Sequence, residues 1–257
     1  MLLPGDQRDA GQLLARRDGA VLRATRDGAI WIGHVKRGDF KLPATVAFAA
    51  EAAVLPERAA PLLRGIDDGA DDRAELRYRE LETARGAVGF LSFDFYNGAM
   101  ATEQCRRLVA AIAVARARPT RVLVLEGGAD LWSNGIHLHR IEAAQLAGGS
   151  AADESWANIN AMNDVCLAIL QTTDRLTVAA LRGNAGAGGC FLALAADLVW
   201  AHEGVILNPH YKNMGNLYGS EYWTYLLPRR VGPAAAGAIM AARLPLGAPR
   251  AQQTGLI

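Results

Sequence analysis

Cysteine is scarce in this 257-residue sequence: Cys105, Cys166 and Cys190, at spacings that match neither a zinc knuckle nor a CxxC pair. An odd count spread this way does not make a disulfide framework, and the three read as small buried hydrophobes. Net charge is almost absent as well. Lys and Arg number 27 against 26 Asp and Glu, a balance of +1, which offers no bulk attraction for nucleic acid. No uncharged apolar run reaches the roughly 18 residues a membrane helix needs, and the best stretch, 183–196, is short and broken by glycines. The opening MLLPGDQRDA lacks a basic segment followed by an apolar one, so a cytoplasmic protein is expected. Five histidines are scattered, and His137 and His139 would share a face if they lay on a strand. No third ligand stands beside them, so no metal site is expected.

What is present fits a globular chain, with 51% hydrophobic and 21% charged residues. Three zones differ in pattern. In residues 12–36, the runs LLAR, AVLRAT and AIWIGHV are separated by two copies of Arg-Asp-Gly. Asp-Gly between alternating apolar runs is a hairpin signal, so a three-strand antiparallel meander is predicted. Residues 46–85 are Ala-rich, then Pro-containing, then densely charged through DDGADDRAELRYRELETAR, which reads as a solvated helix or linker. From residue 86, strand and helix patterns alternate. Strands are predicted at 87–95, 120–128 and 176–183, and helices at 101–118 (capped near Thr102), at 153–173 and over CFLALAADLVWA. This alternation argues for an α/β domain with parallel strand pairs.

Two glycine turns each follow a buried strand: Trp132-Ser133-Asn134-Gly135-Ile136-His137, and Gly183 through Cys190. The glycines of the second turn do not space as GxGxxG, which argues against a dinucleotide fingerprint. Two turns about 50 residues apart can instead each aim a backbone N–H at one oxygen, as an oxyanion hole requires. Downstream, Asn208 to Tyr225 is dense in Tyr, Trp, His and Glu, a composition suited to a pocket lining. It also fits an amphipathic helix N-capped by Ser220 with Trp223 in the core.

Over residues 87–257 these motifs, with Gly128-Ala129-Asp130 before the first turn, resemble the crotonase (enoyl-CoA hydratase/isomerase) superfamily. The resemblance implies a crotonase-like ββα domain that binds coenzyme A thioesters, with Ile136 and Gly188 N–H groups polarising the carbonyl. It further implies coenzyme A contacts at Asn97, Gly98, Ala99 and Met100, and around Asn134, Gly135 and Gly189. Where hydratases of that superfamily carry two catalytic glutamates, this chain has Phe191 and His210. A phenyl ring cannot pass a proton, so hydratase chemistry is in doubt.

The segment NPHYKNMGNLYGSEYWTYLLPRRVG and the repeats leading into Phe40-Lys41-Leu42-Pro43-Ala44-Thr45 resemble a hydrogenase maturation family, in which a formyltransferase-like half is fused to a crotonase-like half. That resemblance implies a division into 1–45 (part of a formyltransferase C-terminal barrel), 46–85 (a connecting helical or linker segment) and 86–257 (the crotonase-like domain, stopping early). The chain then reads as a fragment. The resemblance also implies that N10-formyltetrahydrofolate serves only the full-length protein, and that the crotonase-like part decarbonylates formyl-CoA to CO for the nickel–iron centre of a hydrogenase. For that reaction Glu221 is the expected proton acceptor, with Tyr218 or Tyr222 positioning it or protonating sulfur, and His137 and His210 as further candidates. Two alternatives stand beside it. One is a thioester hydratase, isomerase or hydrolase that uses His210, and the other is a non-catalytic module for coenzyme A or partner docking.

Overall fold

The Arg17-Asp18-Gly19 turn adopts the geometry its residues favour, with φ of +48° at Asp18 and +77° at Gly19, the positive values that a two-residue hairpin turn needs. It joins β1 (Leu13–Arg17) to β2 (Ala20–Ala24), and β3 (Ala29–Ile32) completes an antiparallel sheet in the order β1-β2-β3. The second Arg-Asp-Gly copy turns differently. Neither Asp27 nor Gly28 has positive φ, and Thr25 N–H closes the loop on the Gly28 carbonyl at 2.9 Å. The run predicted as one third strand breaks at Gly33. Its second part, β4 (His34–Arg37), pairs with β5 (Phe40–Pro43) in a separate hairpin. These observations come from a computed structural model that describes residues 9–59, 61–65, 74–146, 148–211 and 218–257.

Two short helices, α1 (Ala44–Ala47) and α2 (Ala49–Ala53), follow. The charged stretch read as helix or linker is corrected beyond them. Residues 66–73 lie outside the described residues, but Leu76–Leu81 forms strand β6, not helix. It pairs antiparallel with Val88 to Phe93 of β7 (Ala87–Phe93), so the main sheet begins ahead of residue 86. Its charge is that of an edge strand: the Arg79 guanidinium lies 3.6 Å from the centroid of the Phe90 ring.

A 3-10 turn at Tyr96–Gly98 leads into β8 (Ala99–Met100) and α3 (Thr102–Arg116). The helix is capped at Ala101, whose N–H donates to Gln104 Oε1 at 3.0 Å, while Thr102, expected near the cap, donates to Glu154 Oε1 instead. Next come β9 (Thr120–Glu126), β10 (Leu131–Ser133), β11 (Gly135–Ile136), α4 (Leu138–Leu146) and α5 (Ala151–Leu170). Ser150 caps α5 by accepting from Asp153 N–H at 3.2 Å. The chain continues through β12 (Leu176–Leu181), β13 (Asn184–Gly186) and α6 (Gly188–Leu194). The predicted helix CFLALAADLVWA stops at Leu194, and its last four residues form β14 (Leu198–Ala201). The remaining elements are β15 (Ile206–Asn208), α7 (Trp223–Val231), α8 (Pro233–Ala242), β16 (Leu246–Gly247) and α9 (Ala248–Gln253).

Two layers of strands result. The larger sheet has the order β14-β12-β9-β7-β6, parallel except for β6. The smaller has the order β10-β13-β15-β16, with β8 and β11 paired in parallel beside it. This is an α/β architecture with parallel strand pairs, and the antiparallel N-terminal strands are set before it. The core runs from Leu91, Leu123 and Ala179 through Met162 and Val165 of α5 to Phe191 and Leu192 of α6. Cys105, Cys166 and Cys190 are buried free thiols within it. Among the described residues no helix is long and apolar enough to cross a membrane.

Candidate active site

Both glycine turns sit at the ends of small-sheet strands, and pairing brings them together. β10 and β13 run side by side, so the residues that follow each strand meet. Gly135 has φ +78°, and a methyl group placed on it would lie 3.2 Å from the Gly188 nitrogen. Gly188 is the first residue of α6, where the N–H has no intrahelical acceptor. Ala187 before it is held at φ +47°, a strained value for an L-residue, and its own N–H bonds the Asn208 carbonyl at 3.0 Å.

A cavity of about 310 Å³ opens on this junction, lined by Ile136, Asn97, Ala99, Asn134, Gly186, Ala187 and Asn208 from the sheet ends. Lys41, Tyr96, His137 and His139 complete the wall, so the N-terminal β4–β5 hairpin contributes to it. Four of the residues assigned to coenzyme A, Gly98, Met100, Gly135 and Gly189, are not on this wall, Gly135 because it packs against Gly188. Met100 is fully buried in the core, and Gly98 fits tightly against Leu131 and Ser133. Gly189 abuts the Ser133 carbonyl, and its own carbonyl accepts from the Trp132 indole N–H at 3.0 Å.

Glu221 lies on the other side of Gly188. Its carboxylate is 1% exposed, and a methyl group on Gly188 would come 2.6 Å from Oε1. Burial pushes its pKa above the usual carboxylate value, while a hydrogen bond from the Tyr211 hydroxyl to Oε2, at 2.5 Å, pulls the other way. The Tyr211 ring stacks on Phe191 with centroids 5.5 Å apart. The two tyrosines expected beside Glu221 are not there: Tyr218 is 74% exposed and leans on Trp223, and Tyr222 is 38% exposed. Tyr211 takes that place, because residues 221 and 222 both have φ of +54° and turn the Glu221 side chain inward and Tyr222 outward. That backbone also corrects the expected Ser220 cap, since α7 starts at Trp223 after Tyr222. Residues 212–217 of the aromatic segment lie outside the described residues.

The histidines divide. His137 and His139 are not on a strand. His137 precedes α4, where its Nδ1 accepts the Arg140 N–H at 3.2 Å, and its Nε2 is 3.3 Å from His34 Nε2. Burial lowers its pKa to about 4, so the ring is neutral at physiological pH. His139 belongs to α4 and accepts the Lys41 N–H at 3.2 Å. His210 is buried away from the cavity wall, with Nδ1 unpartnered among the described residues.

Residues 95–257 match the enoyl-CoA hydratase/isomerase family, and the chain belongs to it. Within that class it is similar to the hydrogenase maturation factor HoxX of Bradyrhizobium diazoefficiens, 57% identical over 96% of this chain and 41% of the relative. The structure of HypX from Aquifex aeolicus in complex with tetrahydrofolic acid superposes with a TM-score of 0.88 at 49% identity, covering 96% of this chain and 43% of that one. An enoyl-CoA hydratase from Thermoplasma volcanium shares the fold, with a TM-score of 0.58 at 22% identity over 70% of this chain and 69% of its own. The chain thus spans less than half the length of the maturation factors it matches.

Proposed function

We propose that this chain binds a coenzyme A thioester at the cavity between the two glycine turns and, as part of a hydrogenase maturation protein, releases carbon monoxide from formyl-CoA. The observation that carries the proposal is the buried Glu221 carboxylate, held by Tyr211 against Gly188. In this reading the thioester carbonyl accepts hydrogen bonds from the N–H groups of Ile136 and Gly188, which hold and polarise it. A carboxylate made more basic by burial then removes the formyl proton. The C–H electron pair stays on carbon, the C–S bond breaks toward sulfur, and carbon leaves as CO. The thiolate takes a proton back from the Glu221–Tyr211 pair, so that formyl-CoA becomes CO and coenzyme A with nothing else consumed.

Water is the competitor, because its attack on the carbonyl gives formate instead. The buried Phe191 ring, stacked on the Tyr211 ring that holds Glu221, keeps the carboxylate's surroundings apolar, which opposes that attack. With the Glu221 carboxylate leaving no room for even a methyl group on Gly188, the acyl side favours a one-carbon group over an enoyl chain. Formyl transfer from N10-formyltetrahydrofolate falls, in this reading, to the portion of the longer relatives outside this chain. The nickel–iron hydrogenase machinery is the expected recipient of CO. Supplying preformed formyl-CoA and trapping CO on haemoglobin tests the proposal. CO above the spontaneous background, without loss of crotonyl-CoA absorbance in a parallel assay, is expected. Crotonyl-CoA turnover without CO would return the chain to hydratase chemistry.

A further inference from the structure

The backbone behind the buried Glu221 carboxylate is unusual. Gly219 has φ +94°, and the non-glycine residues Glu221 and Tyr222 each have φ +54°, a run that L-residues rarely adopt. From α7, the N–H groups of Tyr225 and Leu226 both reach the Tyr222 carbonyl at 2.9 Å. From the opposite side, the Glu221 N–H donates to Asn163 Oδ1 at 2.8 Å. Asn163 is a half-buried polar residue on α5. It stands between the core residues Met162 and Val165–Cys166, with the exposed Asp164 beside it. Because its partner is a backbone donor, the side chain must present its carbonyl oxygen.

We propose that Asn163 is a positioning residue: its side-chain carbonyl, by holding the Glu221 N–H, fixes the left-handed turn that sets the Glu221 carboxylate between Tyr211 and Gly188. The inference rests on the reading of Glu221 as the reacting carboxylate, but its geometry can be tested apart from that reading. Release of the N–H lets residues 219–222 relax toward ordinary φ values, and this swings the carboxylate out of its contact with the Tyr211 hydroxyl. The titratable groups facing Glu221 are the Tyr211 hydroxyl and the Cys105 and Cys166 thiols, whose pKa values burial and the Glu221 charge raise.

The test is carbon-13 NMR of the Glu221 carboxyl carbon in selectively labelled protein, titrated with pH and assigned with Glu221→Gln. In the parent protein the resonance titrates above the ordinary carboxylate range. In Asn163→Ala and Asn163→Gln it returns to that range, whereas Asn163→Asp, which keeps an acceptor oxygen in place, retains the raised midpoint. CO release falls in kcat by about a hundredfold in the first two variants, the cost of misplacing a catalytic group by an ångström, with little change in KM. Asn163→Gln supplies the comparison if Asn163→Ala does not fold. An unmoved Glu221 titration in a folded Asn163→Ala or Asn163→Gln variant overturns the proposal, as does failure of Asn163→Asp to restore it. A shifted titration with no CO from the parent protein supports the positioning role and refutes decarbonylation.

Discussion

Replacing Tyr211 with Phe should destabilise the protein by an amount that depends on pH. The Tyr211 hydroxyl donates to a carboxylate that is 1% exposed. A hydrogen bond to a charged group contributes about 1.5–3 kcal/mol, against about 0.5–1.5 kcal/mol between neutral partners. Burial raises the Glu221 pKa in the folded state above its ordinary value near 4.5, and the Tyr211 hydrogen bond opposes that rise. Folding is therefore favoured most with Glu221 protonated, and that contribution is lost as pH rises through the folded pKa. Tyr211→Phe removes the opposing hydrogen bond, so the native state holds its proton more tightly and the ionised form becomes costlier. The variant should lose about 0.5–1.5 kcal/mol near pH 4 and about 1–2 kcal/mol more near pH 8. Urea unfolding at several pH values measures this, with Glu221→Gln as the second arm of a double-mutant cycle. In the Glu221→Gln background the pH dependence should vanish. An equal loss at all pH values, or a coupling below about 0.3 kcal/mol, would refute the buried ionisable pair.

Other consequences follow from the same structure. Gly189→Ala drives a methyl group into the Ser133 backbone, which cannot move without parting the two turns. It should cost about 3 kcal/mol or more in thermal or chemical unfolding, by overpacking in a rigid core. Gly188→Ala instead meets the end of a side chain at 2.6 Å, so it should abolish CO release with the smaller stability loss of the two. Arg107 bridges Glu75, which is buried, and Asp18 of the first hairpin at 3.0 Å. Arg107→Ala should destabilise by about 3 kcal/mol, measured by denaturant unfolding, because it strips a buried carboxylate of this cation. The His137 imidazole, lowered to about 4 by burial, should show no NMR titration between about pH 5 and 8. Its lowered pKa makes stability fall as pH drops below about 6.5, and a midpoint near that value would contradict its burial.

The strands and helices that bury one apolar run or stripe were legible from the sequence. β7, β9, β12, α3 and α5 fall where hydrophobic periodicity puts them, to within a few residues. β6 was not, because an edge strand with charged residues on its open side has the composition of a solvated helix. Leu198–Ala201 was not either, since a four-residue apolar run following a helix has no period of its own. At the site, the two turns and Glu221 stand out by residue type. The choice of Tyr211 over Tyr218 and Tyr222 depends on two consecutive left-handed residues, which nothing in Ser-Glu-Tyr-Trp announces. Asn163 gave no signal at all, because a polar residue on an amphipathic helix is the ordinary case.

The most direct measurement is the initial rate of CO release from formyl-CoA, protiated or deuterated at the formyl carbon, by the parent protein and by Glu221→Gln. If Glu221 removes the formyl proton, deuterium slows the parent reaction, and Glu221→Gln lowers the rate by about a hundredfold or more. CO release by Glu221→Gln at the parent rate would contradict the account.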